Sequence, residues 1–356
     1  LQAFVFPFEN ESVLNELKAE QQLEFTSNPW YLTGGISYYY YIGEYFEDSF
    51  DRPGYFNAQR AHQADPYAQI DYGGISWLYI FSGARLQYYS NGEYLRWSPR
   101  VKLRLFPESS LSLAAGFSKN HQFLNKISLS NTVTSDVWVL AESDQPPTSV
   151  DYFSAGIYYT PSDYFFAQIE AYHKSFDNLR LHEINAFSLS NTFNNRPWYT
   201  NNNGTGKGIE FLLRNKLSFV TLTQTLAISE MVFSNTEINN GEPFYADWDR
   251  TYRYAATLGL TPIQNVTLYL SWMYASGTSN KLATFGPQNE QRLGNYQRAD
   301  ISAEYTHKFS RASINISLSI FNLLDRQNPW YRELAFVIDE SSSQNQFRSL
   351  PVDVYD

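Results

Sequence analysis

Hydrophobic and polar side chains alternate along most of this chain. The clearest stretch is SINISLSI at 313–320. Ile314, Ile316, Leu318 and Ile320 share one parity, and Ser313, Asn315, Ser317 and Ser319 share the other. Successive side chains of a strand point to opposite faces, so this strand is aliphatic on one face and small and polar on the other. Two architectures give that pattern. A soluble sheet places the aliphatic face on a core, whereas a membrane barrel places it on lipid and keeps water inside.

The alternation recurs. Val101, Leu103 and Leu105 alternate with Lys102, Arg104 and Phe106, and Leu111, Leu113, Ala115 and Phe117 alternate with Ser112, Ala114, Gly116 and Ser118. Phe165, Ala167, Ile169 and Ala171 alternate with Phe166, Gln168, Glu170 and Tyr172. Tyr254, Ala256, Leu258 and Leu260 form a further apolar row, and Val266, Leu268, Leu270 and Trp272 the next. Among all segments only 11–20, ESVLNELKAE, suggests a short helix.

The connections alternate as well. Tight ones are predicted at 27–30, 73–76, 107–110, 161–162, 215–218, 261–265 and 309–311. Longer ones are predicted at 9–19, 46–66, 121–149, 179–203, 236–248 and 278–295, and 91–96 is a short exception among them. The pattern gives about fifteen strands, many of roughly 10–17 residues, longer than the 5–6 usual in soluble sheets and long enough to cross a bilayer at a tilt. Trp30, Tyr31, Tyr72, Trp77, Phe106, Tyr158, Tyr164, Phe219 and Phe309 crowd the tight turns, as amphipathic rings do at a membrane–water interface. The expected fold is all-β, a transmembrane antiparallel up-and-down β-barrel occupying 1–356 as one domain. The short turns would be periplasmic and the long loops extracellular. A large soluble β protein with core aromatics is the rival.

Composition narrows the classes. The 356 residues include 28 Tyr, 26 Phe and 8 Trp, only two Met and no Cys. No disulfide framework and no Cys-based zinc or redox site follows. A net charge of -10 argues against a general nucleic-acid binder. No window reaches the 18 consecutive apolar residues of a transmembrane helix, a test that says nothing of transmembrane strands. Leu1 falls inside the pattern and the chain does not open on a signal peptide, so a mature or truncated chain is expected.

Several short pieces, in order, carry a resemblance. They are Trp97-Ser98-Pro99-Arg100, Ser118-Lys119-Asn120-His121-Gln122, Gln168-Ile169-Glu170-Ala171-Tyr172 and Gly204-Thr205-Gly206-Lys207-Gly208-Ile209-Glu210. Asp249-Arg250-Thr251-Tyr252-Arg253, Tyr296-Gln297-Arg298-Ala299-Asp300 and Phe321-Asn322-Leu323-Leu324-Asp325-Arg326-Gln327-Asn328-Pro329 follow. Over 67–330 the chain resembles the barrel of TonB-dependent outer-membrane receptors, particularly those of the Bacteroidota. The resemblance implies a barrel of about 22 strands behind an N-terminal plug, in the outer membrane of a Gram-negative cell. It also implies import driven by the TonB–ExbB–ExbD energy-coupling complex acting through the plug. This sequence presents neither a plug nor a TonB-contacting segment, and 326–356 reads as a final long loop. The expectation is therefore a carboxyl-proximal part of a barrel, with roughly six strands ahead of Leu1 and one after Asp356, or a split protein completed by another chain.

Little in the chain points to catalysis. Gly204 to Gly208 reads G-x-G-K-G, and Gly208 stands where a phosphate loop needs a hydroxyl. No βαβ unit surrounds it, so these glycines read as relief beside a crowded wall. His62, His121, His173, His182 and His307 show no zinc-protease spacing, and there is no G-x-S-x-G elbow. No cofactor, metal or catalytic residue is expected. His173 reads as an interfacial histidine at the end of its aliphatic row, and His121 as a solvated loop residue.

Ligand contact, if these loops make it, falls to His121, Gln122, Trp138, Trp198, Tyr199, Trp248, Tyr296, Trp330 and Tyr331, where aromatic rings offer rigid contact area. Arg85, Gln87, Lys102, Arg104, Gln168 and Glu170 point into the lumen on this register, toward a plug, a path or one another. Asp249 with Arg250, and Arg298 with Asp300, read as ion pairs of the wall or rim. The leading functional expectation is energised import of a siderophore, cobalamin, oligosaccharide or peptide. The rivals are a passive porin-like channel, an interaction barrel that holds a surface lipoprotein or other subunits, and a barrel enzyme.

Overall fold

A computed structural model describes residues 8–49, 52–127, 137–182, 198–236, 241–246, 248–279, 292–339 and 346–355. The chain opens with three long strands, β1 (Phe8–Ser27), β2 (Trp30–Ser49) and β3 (Arg52–Ile75). Next come β4 (Leu78–Tyr89), β5 (Tyr94–Leu105) and β6 (Leu111–Gln122). A small hairpin, β7 (Leu124–Ile127) and β8 (Val137–Leu140), precedes β9 (Thr148–Ser162), β10 (Phe165–His182), β11 (Trp198–Leu217) and β12 (Val220–Ser234). The two-residue β13 (Phe244–Tyr245) leads to β14 (Tyr252–Ile263), β15 (Val266–Ala275), β16 (Tyr296–Lys308) and β17 (Ser313–Ile320). A last hairpin joins β18 (Pro329–Asp339) to β19 (Gln346–Tyr355).

The long strands form one antiparallel up-and-down sheet, in the order β1-β2-β3-β4-β5-β6-β9-β10-β11-β12-β14-β15-β16-β17, with β13 paired to β12. Seven tight connections lie at one end of it. Five of them are two-residue turns, at 28–29, 76–77, 163–164, 218–219 and 264–265. Asn265 and Ser218 take the positive φ that such turns demand. The 123–147 and 235–251 connections lie at the other end and carry β7–β8 and β13. The expected fold class is therefore met. Four expectations are corrected. The tight connection expected at 161–162 falls inside β9, and the turn lies at 163–164. Residues 11–20 belong to β1 and not to a helix, because pairing with β2 overrides the helical propensity of Glu, Leu, Lys and Ala. The expected connections at 9–19 and 46–66 lie largely within strands, since β1 begins at Phe8 while β2 and β3 run on to Ser49 and from Arg52. The final segment holds a β-hairpin apart from the main sheet, not a plain loop.

Register fixes the two faces. Ile301↔Ile320, Ala303↔Leu318 and Tyr305↔Ile316 share the aliphatic face, while Ser302↔Ser319 and Glu304↔Ser317 share the polar one. Followed strand to strand, the same aliphatic face carries Leu270, Leu258, Leu222, Ile209, Ile169, Ile157, Leu113, Leu103 and Ile80. No second sheet covers it among the described residues. Leu318 is 68% exposed and Ile316 60%. The buried hydrophobics collect on the opposite, polar side. Tyr41, Ala61 and Tyr89 pack there with Phe123, Leu140 and Ala141, and Phe233 packs with Phe244 and Ala246. A water-soluble sheet would have these burials the other way round.

Candidate functional site

Because the aliphatic face is uncovered and the polar face is built up, any site lies on the polar face. Three parts stand out: a folded-in hairpin, a buried polar network and a strand of cations.

The described parts of the connection between β6 and β9, 123–127 and 137–147, fold over the polar face near the long-loop end. Leu140 and Phe123 pack on Tyr41, Ala61 and Tyr89, and the Phe123 and Tyr89 rings stack 4.5 Å apart. Backbone carbonyls of the segment are held from the wall. The Tyr89 hydroxyl donates to Ala141 O at 3.3 Å, and the Tyr94 hydroxyl donates to Glu142 O at 2.6 Å. Arg180 donates to Gln145 O at 2.9 Å. The Trp138 N–H donates to Ser12 Oγ at 3.0 Å, which ties β8 to β1. These bonds join Trp138 and 141–145 to the wall.

Beneath it lies the network. Asp65 is 1% exposed and accepts from Gln63 Nε2 at 2.8 Å, with Arg85 at 3.7 Å and Gln87 Nε2 at 3.5 Å. The Ser98 hydroxyl donates to Gln87 Oε1 at 2.7 Å and meets His121 Nδ1 at 3.0 Å. Since the single hydroxyl hydrogen is used on Gln87, the His121 Nδ1–H is the donor in that second bond. Pairing of β5 with β6 ends at Arg100↔Ser118, beside Pro99, which has no N–H to continue the ladder. Beyond that point His121 leans to the polar side despite its aliphatic parity. It is thus a half-buried network member and not the solvated loop residue expected. His121 lies past the aliphatic row of β6. Burial, with Arg96 and Lys119 nearby, pushes its pKa down to about 4, so the ring is neutral at pH 7.

The remaining sequence candidates fall as follows. Gln122 donates to Leu124 O at 2.7 Å, a turn contact of the hairpin. The Lys126 ammonium sits 5.9 Å over the Trp138 ring. Trp248 is 66% exposed, with its ring edge on Phe233, and Arg250 lies 5.6 Å over the Tyr296 ring. For Trp198, Tyr199, Trp330 and Tyr331 only the backbone is described, at the starts of β11 and β18. The Glu170 carboxylate accepts from the Tyr158 hydroxyl, and Gln168 lines a separate hollow with Glu210 and Arg253. Arg298 and Asp300 pair at 2.8 Å as expected.

The Asp249–Arg250 pair is not formed. Asp249, nearly fully buried, holds Arg292 at 2.5 Å and accepts from the Met231 N–H at 2.7 Å. Arg250 instead donates to Ser276 O at 3.0 Å. Neighbours along a strand or loop edge diverge in direction, so the carboxylate finds its cation 43 residues away. Arg292 was missed from sequence because nothing local marks it. With Asp249 it fastens the 235–251 and 276–295 connections together.

The glycines at 204, 206 and 208 do relieve a crowded wall. They share the polar face of β11. A Cβ at Gly204 would meet Leu179 at 2.8 Å, at Gly206 the Met231 sulfur at 3.0 Å, and at Gly208 the Tyr172 ring at 2.8 Å.

Among the described residues no group of three His, Asp or Glu side chains could hold a metal ion. No family model and no curated protein matches the chain. Solved structures do match. A variant of the ferric enterobactin receptor PfeA from Pseudomonas aeruginosa superposes with a TM-score of 0.65 at 14% identity, covering 89% of this chain and 49% of that one. The copper transporter OprC gives 0.67 at 11% identity, covering 98% and 58%. The outer membrane transporter YddB from Escherichia coli gives 0.61 at 10% identity, covering 97% and 54%. This chain spans about half the length of those proteins and shares their fold.

Proposed function

We propose that this chain forms wall of an outer-membrane β-barrel that imports a scarce nutrient by a TonB-dependent route. The observation that carries the reading is the inversion of the sheet: large aliphatic side chains lie uncovered on one face, and buried polar groups and folded loops occupy the other. The aliphatic band also has membrane dimensions. On β2 it runs from Trp30 through Leu32, Ile36 and Tyr38 to Tyr40, ten steps, or about 33 Å along a strand and about 25 Å at the usual tilt near 40°. Aromatic rings mark both borders. Trp30, Trp77, Tyr164 and Phe219 stand by the tight turns; Tyr40, Tyr88, Trp97 and Trp272 stand toward the loops.

The structures that share the fold include a ferric enterobactin receptor, a copper transporter and an iron transporter, which supports uptake as the general role. In this reading ligand meets the loops and the polar rim near His121, Gln122, Trp138, Trp248 and Tyr296. The polar wall residues Arg85, Lys102, Arg104, Gln168 and Glu170 face a plug that the TonB–ExbB–ExbD complex moves. Siderophore, cobalamin, oligosaccharide and peptide are all candidate cargoes. A surface lipoprotein or other subunit is a further candidate partner, and a Bacteroidota origin is a candidate that only the sequence resemblance supports.

The test is nutrient-limited growth and radiolabel uptake in cells lacking the full-length gene, with and without a functional TonB system. Import supports the reading if it requires both. Uptake that persists without TonB would instead identify a passive channel. A deletion that alters no uptake but dissociates a surface assembly would identify an interaction barrel.

A further inference from the structure

The polar face of β5 carries four cations in one row, Arg96, Arg100, Lys102 and Arg104, broken only by Ser98. This is unusual in a chain with 36 acidic and 26 basic residues. None of the four lies within 4.0 Å of a carboxylate among the described residues. Other cations of the same face do find one, such as Lys18 with Glu20 and Arg298 with Asp300, both under 3 Å. The β5 row is held by neutral groups instead. Arg100 donates to Gln69 Oε1 at 2.6 Å and lies 5.2 Å over the Phe81 ring. Arg104 donates to Ser112 Oγ at 3.0 Å and lies 5.5 Å over the Tyr158 ring. Lys102 has Phe81 and Gly116 as its cross-strand neighbours and is exposed.

Two members of the row, Arg100 and Lys102, line a hollow of about 300 Å³ together with Phe81, Tyr152, Tyr158 and Glu170. The strands beside it are shorn of side chains where the cations reach. Gly83 opposes Arg100 and Gly116 opposes Lys102. Glu170, in the lining itself, takes the Tyr158 hydroxyl, and Asp71 takes the Tyr79 hydroxyl; Glu210 lies across from Glu170 on the far side of the hollow. Lys174, 5.3 Å over the Tyr152 ring, adds a further positive charge at the border. Like charges two residues apart on one strand repel, so such a row is stabilised by whatever anion it meets. Charge-assisted hydrogen bonds from guanidinium and ammonium groups to anionic oxygens are the strong ones.

We propose that this hollow is a binding subsite for a small polyanion, a polycarboxylate or a phosphate ester, whose oxygens are taken by Arg100 and Lys102, with Arg104 adding positive charge from the same row. The subsite names a cargo class for the uptake reading and rests on that reading for its purpose. Phe81 and Tyr158 stack under the two guanidinium groups and hold them in place, while Lys102 is left to reach the ligand. Lys102 and Arg100 therefore contact the anion, and the rings are positioning residues.

The experiment is equilibrium binding of citrate and of pyrophosphate to the purified full-length protein in detergent, at low and at physiological salt. Wild type should bind at least one probe, more weakly as salt rises. Lys102→Gln should weaken that binding about 5–10-fold, and R100Q/K102Q/R104Q should abolish it. Lys102→Arg should restore most of it, which a merely structural loss would not allow. Lys18→Gln, far from the row, should change nothing. The citrate and pyrophosphate arms separate the carboxylate from the phosphate source. The proposal is overturned if neither probe binds, as when an acidic protein segment already fills the hollow, or if the triple variant, shown folded by its gel mobility, binds as wild type does. Binding with no uptake phenotype would defeat the import reading and leave the subsite standing; uptake without binding would do the reverse.

Discussion

An arginine at position 270 should block folding into a bilayer, and an arginine one residue further on should not. Leu270 sits in the middle of the aliphatic row of β15, between Val266 at the turn and Tyr274 toward the loops, with Leu258 and Ile301 across from it on either side. It is 45% exposed, with no layer over it. If that face meets acyl chains, a charge there costs about 2–4 kcal/mol, which is about a 30- to 700-fold shift in the folding equilibrium. Ser271 occupies the other face, opposite Thr257 and Asp300. An arginine there enters a wet wall beside a carboxylate and should cost about 1 kcal/mol or less. The assay is refolding of the full-length protein from urea into phosphatidylcholine vesicles, with the folded fraction read from the mobility of the unboiled band. Equal losses for Leu270→Arg and Ser271→Arg, or a greater loss for Ser271→Arg, would refute the assignment of the two faces.

Other outcomes follow from the same geometry. Gly208→Val should distort β10–β12, since its Cβ would lie 2.8 Å from the Tyr172 ring and 2.9 Å from Ile228 O; a fall of several degrees in the melting midpoint checks it. Asp249→Ala should release Arg292 and loosen both connections it joins, raising hydrogen exchange at 248–251, 276–279 and 292–295 while the strands below stay protected. Leu140→Ser should unseat the 123–147 segment from Tyr41 and Tyr89, by about 2–5 kcal/mol on the scale of core truncations, and should raise ion conductance in planar bilayers. His121 gives a pH signature. Its folded pKa, about 4, lies below the usual 6.5, so the opened mouth binds a proton between those values and the folded mouth does not. Stability therefore falls as pH drops through that window, and His121→Gln should flatten the fall in a series of melting midpoints.

Much of the wall was legible because a strand with lipid on one side and water on the other obeys a strict period of two. Rows such as 313–320 and 266–272 were read from residue types alone, and six of the seven tight connections overlapped short polar or glycine-containing stretches at the right places. The region before residue 66 was harder. Val13, Leu14 and Leu17, set among Glu, Lys and Ala, mimic a helical stripe, whereas the strand puts Val13 and Leu17 on one face and Leu14, Glu16 and Lys18 on the other. Local propensity cannot see the twenty-residue pairing with β2 that decides the matter. The rim was least legible. Asp249 stands next to an arginine and binds a distant one, and His121 changes sides where Pro99 interrupts the ladder. Such choices depend on how loops return to the wall, which no periodicity records. The uncompensated cations of β5 were partly visible, as Lys102 and Arg104, but their lack of acidic partners required the register of β4 and β6.

The chain has no cysteine, so single cysteines at successive positions of β15 give a clean scan of both faces. Spin labels at 266–273 of the full-length protein in vesicles should report high oxygen and low nickel-chelate accessibility at Leu268, Leu270 and Trp272, and the reverse at Thr267, Tyr269 and Ser271. An oscillation of two residues with that phase is what a wall between lipid and water gives. Uniform accessibility, or shielding of Leu268, Leu270 and Trp272 from both reagents by a second protein layer, would contradict it.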